Sequence, residues 1–381
     1  MSITVVLVGM MDSVHTFRWL NQFKETDTKF VLVPSKKFRS FHPEIEKLIS
    51  ENSNFKFGLK LKSNTDKLDC YLDFLMEKIF SLFGRSYRAF LLSKLIIKIS
   101  PKYVHALEIQ GAGYICATAF RQVNSTSKLI VTNWGSDIYF FQKYSDHVIK
   151  IMETLQRADY YSAECNRDYH LAKEFGFKGI ELPSFPNAGG FQLQNLPTGR
   201  RASERKQLIV KAYTGIFGLG EVAVEAIAQI IRIDESLEVF FYSVDHKLED
   251  IIKKVISKFP NRIRYVTQHS PISHSELLIE FSQSRIYLGC SKSDGISTSF
   301  LEAIISGCYP IQTNTSCASE WIQKGFKGSI ITPQLSEITT ALKNAIENDN
   351  LVDEAQETNL RLSPKYLSEE VIRPQSLLFY P

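Results

Sequence analysis

Near the start of the chain runs ITVVLVG (3–9), β-branched, unbroken and ended by a glycine. A run that is apolar at every position, rather than at alternate ones, predicts a strand buried on both faces, as in a parallel sheet. The period then changes: Val14, Phe17, Leu20 and Phe23 fall three apart, the spacing of a helix with one apolar stripe. The two patterns alternate from there. KFVLVPS (29–35), KYVHALEI (102–109), KLIVTNWG (128–135), DYYSAE (159–164) and GIELPSFPNA (179–188) predict strands. Residues 42–51, the apolar and basic stretch 68–99, GYICATAFRQV and HVIKIMETLQRA predict helices.

The alternation stops at 186–206, PNAGGFQLQNLPTGRRASERK, which is rich in Pro, Gly, Asn and charge and has no period. It resumes with strands in QLIVKAY, LEVFFYSV, IRYVTQ, RIYLGCS and YPIQTN. Between and after them come helices in GEVAVEAIAQIIRI, KLEDIIKKVISKF, SHSELLIEFSQS, SFLEAIISG and EITTALKNAIEN. The expected fold class is therefore α/β: two Rossmann-like, doubly wound domains facing a central cleft. The first would span 1–188 and the second 207–362, with 189–206 as linker and a tail, 363–381, packing back on the first domain. Ligands of open α/β sheets bind beyond the carboxyl ends of the strands. The loops to inspect are Gly9–His15, Glu108–Gly113, Asn133–Tyr139, Lys211–Gly220 and Ser291–Ser299.

A chain of 381 residues suits two domains of roughly 150–200 residues each. Hydrophobic residues at 44% and charged residues at 23% belong to a soluble globular protein. The net charge of +4 is too even for a nucleic-acid binder. Six cysteines without C-x-x-C spacing read as reduced, packed thiols. No apolar run reaches the roughly 18 residues of a spanning helix, and the N-terminal run lacks the basic flank of a signal peptide. A cytoplasmic protein is expected. Residues 74–102 interleave Phe, Leu and Ile with lysines and arginines, a pattern that suits peripheral contact at the inner face of the plasma membrane and equally a core-facing helix pair.

Chemistry concentrates in SKSDGISTSFLEAIISGCYP (291–310). A helix starting near Ser297–Ser299 offers unpaired N–H groups and the positive end of a dipole, which suits a diphosphate. Gly295 allows close backbone approach, and Ile296, Ser297 and Thr298 complete the turn. Asp294 stands just before it and Glu302 one turn inside. Ser299-x-x-Glu302 also fits a capping box, in which the glutamate serves only the helix itself.

This stretch resembles the signature of retaining two-Rossmann (GT-B) glycosyltransferases, family 4 in particular: serine, a carboxylate, glycine, and a glutamate eight residues after the first carboxylate in an LEA-small-G-x-P helix. KISPKYVHAL with QGAGYICATAF, TNWGSDIY and PSFPNAGGF are similar, in order, to the family's remaining segments. The resemblance implies a glycosyltransferase that uses a nucleotide-diphosphate sugar and needs neither metal nor other cofactor. It implies a glycan or lipid-linked glycan acceptor and work in cell-surface polysaccharide biosynthesis. Glu302 would take the ribose hydroxyls, Asp294 the transferred sugar, and Gly295, Ile296, Ser297 and Thr298 the diphosphate. His15 and Asp137 would complete the catalytic set, beside an acceptor held near Met10, Trp134, Gly135 and Ser136.

Two departures stand out. Asp294 is one methylene shorter than the family's glutamate. The family's G-R-x-x-x-x-K is replaced by LIVKAYTGIFGLGEVAVEA, where Lys211 is the nearby cation and Tyr213, Gly215, Gly218 and Gly220 form a backbone cradle. The second departure motivates a rival reading, a sugar-nucleotide-binding protein without turnover; a nucleotide-sugar epimerase on the same fold is a third possibility.

Overall fold

The computed structural model describes residues 2–36, 41–58, 67–197 and 199–380, and only the backbone of 67–73. It divides into two compact units, Met1–Gly189 with Arg373–Pro381, and Gly190–Ile372.

The first unit runs β1 (Thr4–Gly9), α1 (Val14–Asn21), β2 (Lys29–Pro34), α2 (Pro43–Glu51), β3 (Phe55–Phe57), α3 (Lys67–Leu82), α4 (Tyr87–Ile99) and β4 (Tyr103–Leu107). It continues through α5 (Tyr114–Phe120), β5 (Lys128–Thr132), α6 (Ser145–Arg157), β6 (Tyr160–Ser162), α7 (Asn166–Glu174) and β7 (Ile180–Glu181). Its seven strands, all parallel, lie in the order β3-β2-β1-β4-β5-β6-β7. The unbroken apolar run of β1 has its reason here: Val5, Val6, Leu7 and Val8 are fully buried because helices cover both faces.

The second unit contains β8 (Gln207–Lys211), α8 (Gly220–Ile230), β9 (Glu238–Val244), α9 (His246–Ile256), β10 (Ile263–Thr267), α10 (His274–Gln283) and β11 (Ser284–Gly289). After these come α11 (Thr298–Ile305), β12 (Tyr309–Thr313), α12 (Ala318–Gln323), β13 (Ser329–Ile331), α13 (Leu335–Glu347), α14 (Asp349–Leu367) and the start of α15 (Glu369–Leu377). Its parallel sheet has the order β10-β9-β8-β11-β12-β13. Each sheet reverses its winding once, between β1 and β4 and between β8 and β11. A crevice at the carboxyl ends of those pairs is where such sheets take ligands.

Several short elements carry too few residues for a periodic signal. β3, α12 and β13 are of this kind, and α7 lies in a polar segment, NRDYHLAKE. The stretch read as a linker groups with the second unit from Gly190 onward. Phe191 pairs with Ser368, and Ala202 is fully buried. Only Arg373 onward groups with the first unit, rather than the whole of 363–381. There Phe379 and Tyr380 are buried against Trp19, Phe23, Phe30 and Phe185. The Tyr380 hydroxyl lies 2.8 Å from His105 Nδ1 and accepts from Trp19 Nε1 at 3.4 Å. Cys116, Cys290 and Cys308 are free and buried, and burial pushes the Cys290 thiol up to about 12.

Candidate functional site

In the second unit, three loops leave the sheet side by side and are sewn together by their backbones. The loop after β8 pairs with the loop after β11: Gly218 bridges Ser291, Leu219 N–H donates to the Cys290 carbonyl, and Lys292 N–H to that of Phe217 at 2.6 Å. The loop after β11 bonds in turn to the loop after β12. Asp294 N–H donates to the Thr315 carbonyl, Cys317 N–H to that of Gly295 at 2.8 Å, and the Thr315 hydroxyl to that of Ser291. On its other side the β8 loop is anchored by Asp245, whose carboxylate accepts from Thr214 N–H and hydroxyl at 2.5 and 2.6 Å. A glycine at 218 is required, because a Cβ would collide with the Tyr213 and Thr214 carbonyls. Gly215, at φ +86°, faces open space.

Lys211 ends β8 in register with Gly289 of β11. Its ammonium lies 5.2 Å from the centre of the Tyr213 ring, and no carboxylate pairs with it among the described residues. Burial pushes the Tyr213 phenol well up, and the nearby Asp294 charge adds to that shift. The Tyr287 phenol, fully buried, is shifted the same way, with the Ser297 side chain opposing the shift and the Asp294 charge adding to it. Lys211, Tyr213, Tyr287, Asp294 and Ser297 thus form one neighbourhood.

Ser297, not Ser299, caps α11, with its hydroxyl accepting from Phe300 N–H at 3.4 Å. Among the described residues no hydrogen bond occupies the N–H groups of Thr298 and Ser299. Asp294 and Thr298 are half-buried, whereas Gly295, Ile296 and Ser297 are buried. The capping-box reading of Glu302 fails, since the cap lies five residues before it. Glu302 instead is 3% exposed and meets His274 Nε2 of α10 at 2.8 Å. His274 escaped the sequence reading, although a true capping box (Ser273 with Glu276) fixes it at the first turn of α10.

In the first unit, the loops after β1 and β5 meet. The Met10 carbonyl accepts from Ser13 N–H and the Thr16 hydroxyl, closing the turn into α1. His15 is exposed, with its ring edge-to-face to that of Trp134 and the ring centres 5.5 Å apart. The Trp134 indole N–H is buried without a partner. Gly135 sits at φ +52°, its carbonyl accepting from Arg167, and Ser136 N–H donates to the Trp134 carbonyl.

Asp137 is buried beneath this turn. Its Oδ2 accepts from Ile109 N–H at 2.8 Å and Trp134 N–H at 3.1 Å, tying the loops after β4 and β5 together. Burial, with the Glu108 charge second, pushes its carboxyl up to about 8. Glu108 adopts φ +135° and binds the Ser35 hydroxyl at 2.6 Å. Burial raises its carboxyl as well. Arg167 and Asn133 both hold Asp168, at 2.8 Å each. These polar partners were not singled out in the sequence. Each is a single residue in an otherwise ordinary segment, and only the fold gathers them.

Residues 78–165 match the family described as Glycosyl transferase 4-like. No curated protein matches the chain. Among solved structures, a glycosyltransferase from Rickettsia africae ESF-5 is similar at 15% identity and TM-score 0.68, over 100% of this chain and 98% of that one. Anabaena Alr3699/HepE, solved with UDP-glucose, is similar at 10% identity and TM-score 0.71, over 98% of both chains. Sucrose-phosphate synthase from Thermosynechococcus elongatus is similar at 12% identity and TM-score 0.74, over 99% and 98%. The fold is GT-B, with two parallel α/β sheets, and the likeness of fold runs through the whole chain.

Proposed function

We propose that this chain of GT-B fold is a glycosyltransferase that moves a sugar from a nucleoside-diphosphate donor to a hydroxyl of a glycan or lipid-linked glycan, with retention, in cell-surface polysaccharide synthesis. One observation carries the reading. The loops after β8 and β11 are cross-bonded where the winding of the second sheet reverses, and they leave Lys211 unpaired and the Thr298 and Ser299 N–H groups open. A departing diphosphate gains charge in the transition state. Donors already fixed in place stabilise it without reorganising at the moment of reaction.

Lys211 supplies the charge that the family draws from its Arg and Lys, and the start of α11 supplies N–H dipoles. Asp294 and Tyr213 face the donor sugar, and Gly215 leaves room for the diphosphate. Glu302, oriented by His274, accepts from the ribose hydroxyls. In the first unit, His15 faces the acceptor with Met10, Trp134, Gly135 and Ser136. Asp137 serves them by holding the Trp134 turn. Alr3699/HepE was solved with UDP-glucose, so uridine is the first base to test.

Release of nucleoside diphosphate from a panel of nucleotide sugars tests the reading. A transferase leaks free nucleoside diphosphate without acceptor, and an acceptor hydroxyl accelerates that release. Tight binding without any release supports a turnover-free binder, and a changed sugar still attached to the nucleotide supports an epimerase. Either outcome overturns the assignment.

A further inference from the structure

Helix α3 is apolar on two sides. Phe80 turns inward, its ring 5.2 and 5.4 Å from those of Tyr87 and Phe90 on α4. Phe74, Leu75, Ile79 and Leu82 turn outward, and Phe83 follows at the hairpin tip. Leu82 is 83% exposed and Phe83 75%, large side chains that water alone would not retain together. Gly84 closes the tip at φ +64° with open space around it. On α4, Ile97 is exposed beside Lys94 and Lys98.

Charge on the hairpin is mainly basic. Residues 67–102 contain Lys67, Lys78, Arg85, Arg88, Lys94, Lys98 and Lys102 against Asp69, Asp73 and Glu77, and no acid follows Glu77 in that stretch. Lys78, Arg85, Lys94, Lys98 and Lys102 are exposed, and Lys78 and Lys94 lie over the Phe74 and Phe90 rings at 4.6 and 5.5 Å. A face of Leu and Phe rimmed by cations matches the acyl boundary and headgroups of an anionic bilayer. No helix of the described residues is long and apolar enough to cross a membrane, so the fit is to its surface.

We propose that the outward face of α3, with the Leu82–Phe83 tip as its wedge, docks the protein on an anionic lipid bilayer. The tip enters the acyl boundary while Lys78, Arg85, Lys94 and Lys98 meet lipid phosphates. A surface of this kind suits an acceptor carried on a lipid, and so deepens the acceptor part of the proposed function. It does not depend on the donor site, because nucleotide binding is measured on the same preparation without vesicles.

Flotation of the full chain with vesicles provides the test. It is expected to float with equimolar phosphatidylcholine and phosphatidylglycerol, to stay behind with phosphatidylcholine alone, and to be released by high salt. Leu82→Ser with Phe83→Ser is expected to weaken partition at least about tenfold and to leave the urea midpoint unchanged, since both side chains are exposed. Lys78→Glu and Arg85→Glu are expected to cost roughly fivefold or more each. Three results would overturn the proposal: no flotation of the parent, equal flotation of the parent and the Ser variant, or a dimer in solution that the Ser variant converts to monomer.

Discussion

Asp137→Asn isolates one buried proton. In the folded chain, burial and Glu108 hold the Asp137 carboxyl protonated up to about 8, against an ordinary value of 3.8. The folded state therefore binds more protons than the unfolded state between those values, and stability falls as pH rises through that window. The slope is at most about 1.4 kcal/mol per pH unit. From pH 6.5 to 8 the two titrations integrate to a loss of roughly 1–2 kcal/mol.

The choice of window matters. Burial lowers His105 to about 3, so its stabilising neutrality is fully present above its ordinary 6.5 and lost only as pH falls below it. Above 6.5 the two effects separate. Asparagine keeps an oxygen for the Ile109 and Trp134 N–H groups but has no proton to lose. Urea unfolding at pH 6.5 and 8, at unchanged m, reads the difference. The parent should lose roughly 1–2 kcal/mol more than Asp137→Asn across the interval. Equal pH dependence in parent and variant would refute the burial argument, and with it the account of how the Trp134 turn is held.

Tyr380→Phe removes a hydroxyl shared by His105 and Trp19 inside the first unit, leaving His105 Nδ1 and Trp19 Nε1 without that partner, while His105 Nε2 keeps Thr132 at 2.7 Å. Stability should fall by about 1–3 kcal/mol, seen as a lower urea midpoint, and an unchanged midpoint would contradict the packing described. His274→Ala leaves the Glu302 carboxylate without its 2.8 Å partner. Donor KM should rise at least several-fold with kcat nearly constant, and His274→Asn should recover part of the loss. A matching fall in kcat with KM constant would speak against a ribose role for Glu302.

Much of the fold was legible because parallel strands buried on both faces are apolar without interruption. β1, β2, β8 and β11 could be read directly from their side chains. α7, α12 and β13 could not, being short or polar and stabilised by what packs on them. In the candidate site of the second unit the strand-loop-helix grammar of 285–305 pointed to Asp294, Gly295 and Glu302. His274 was invisible, since its meeting with Glu302 joins residues 28 apart across two helices. The first unit follows the same rule. Asp137 stood out beside a glycine and a serine, whereas Glu108 and Asp168 acquire their setting only when β4, β5 and α7 come together.

Calorimetric titration of nucleoside diphosphates into the parent and into Lys211→Ala tests the central claim most directly. Removing a charge-assisted contact worth about 1.5–3 kcal/mol should weaken binding roughly 10- to 150-fold, with the uridine diphosphate of Alr3699/HepE the first to try. Failure of every nucleoside diphosphate to bind the parent, or equal affinity in Lys211→Ala, would contradict the placement of the diphosphate between Lys211 and the start of α11.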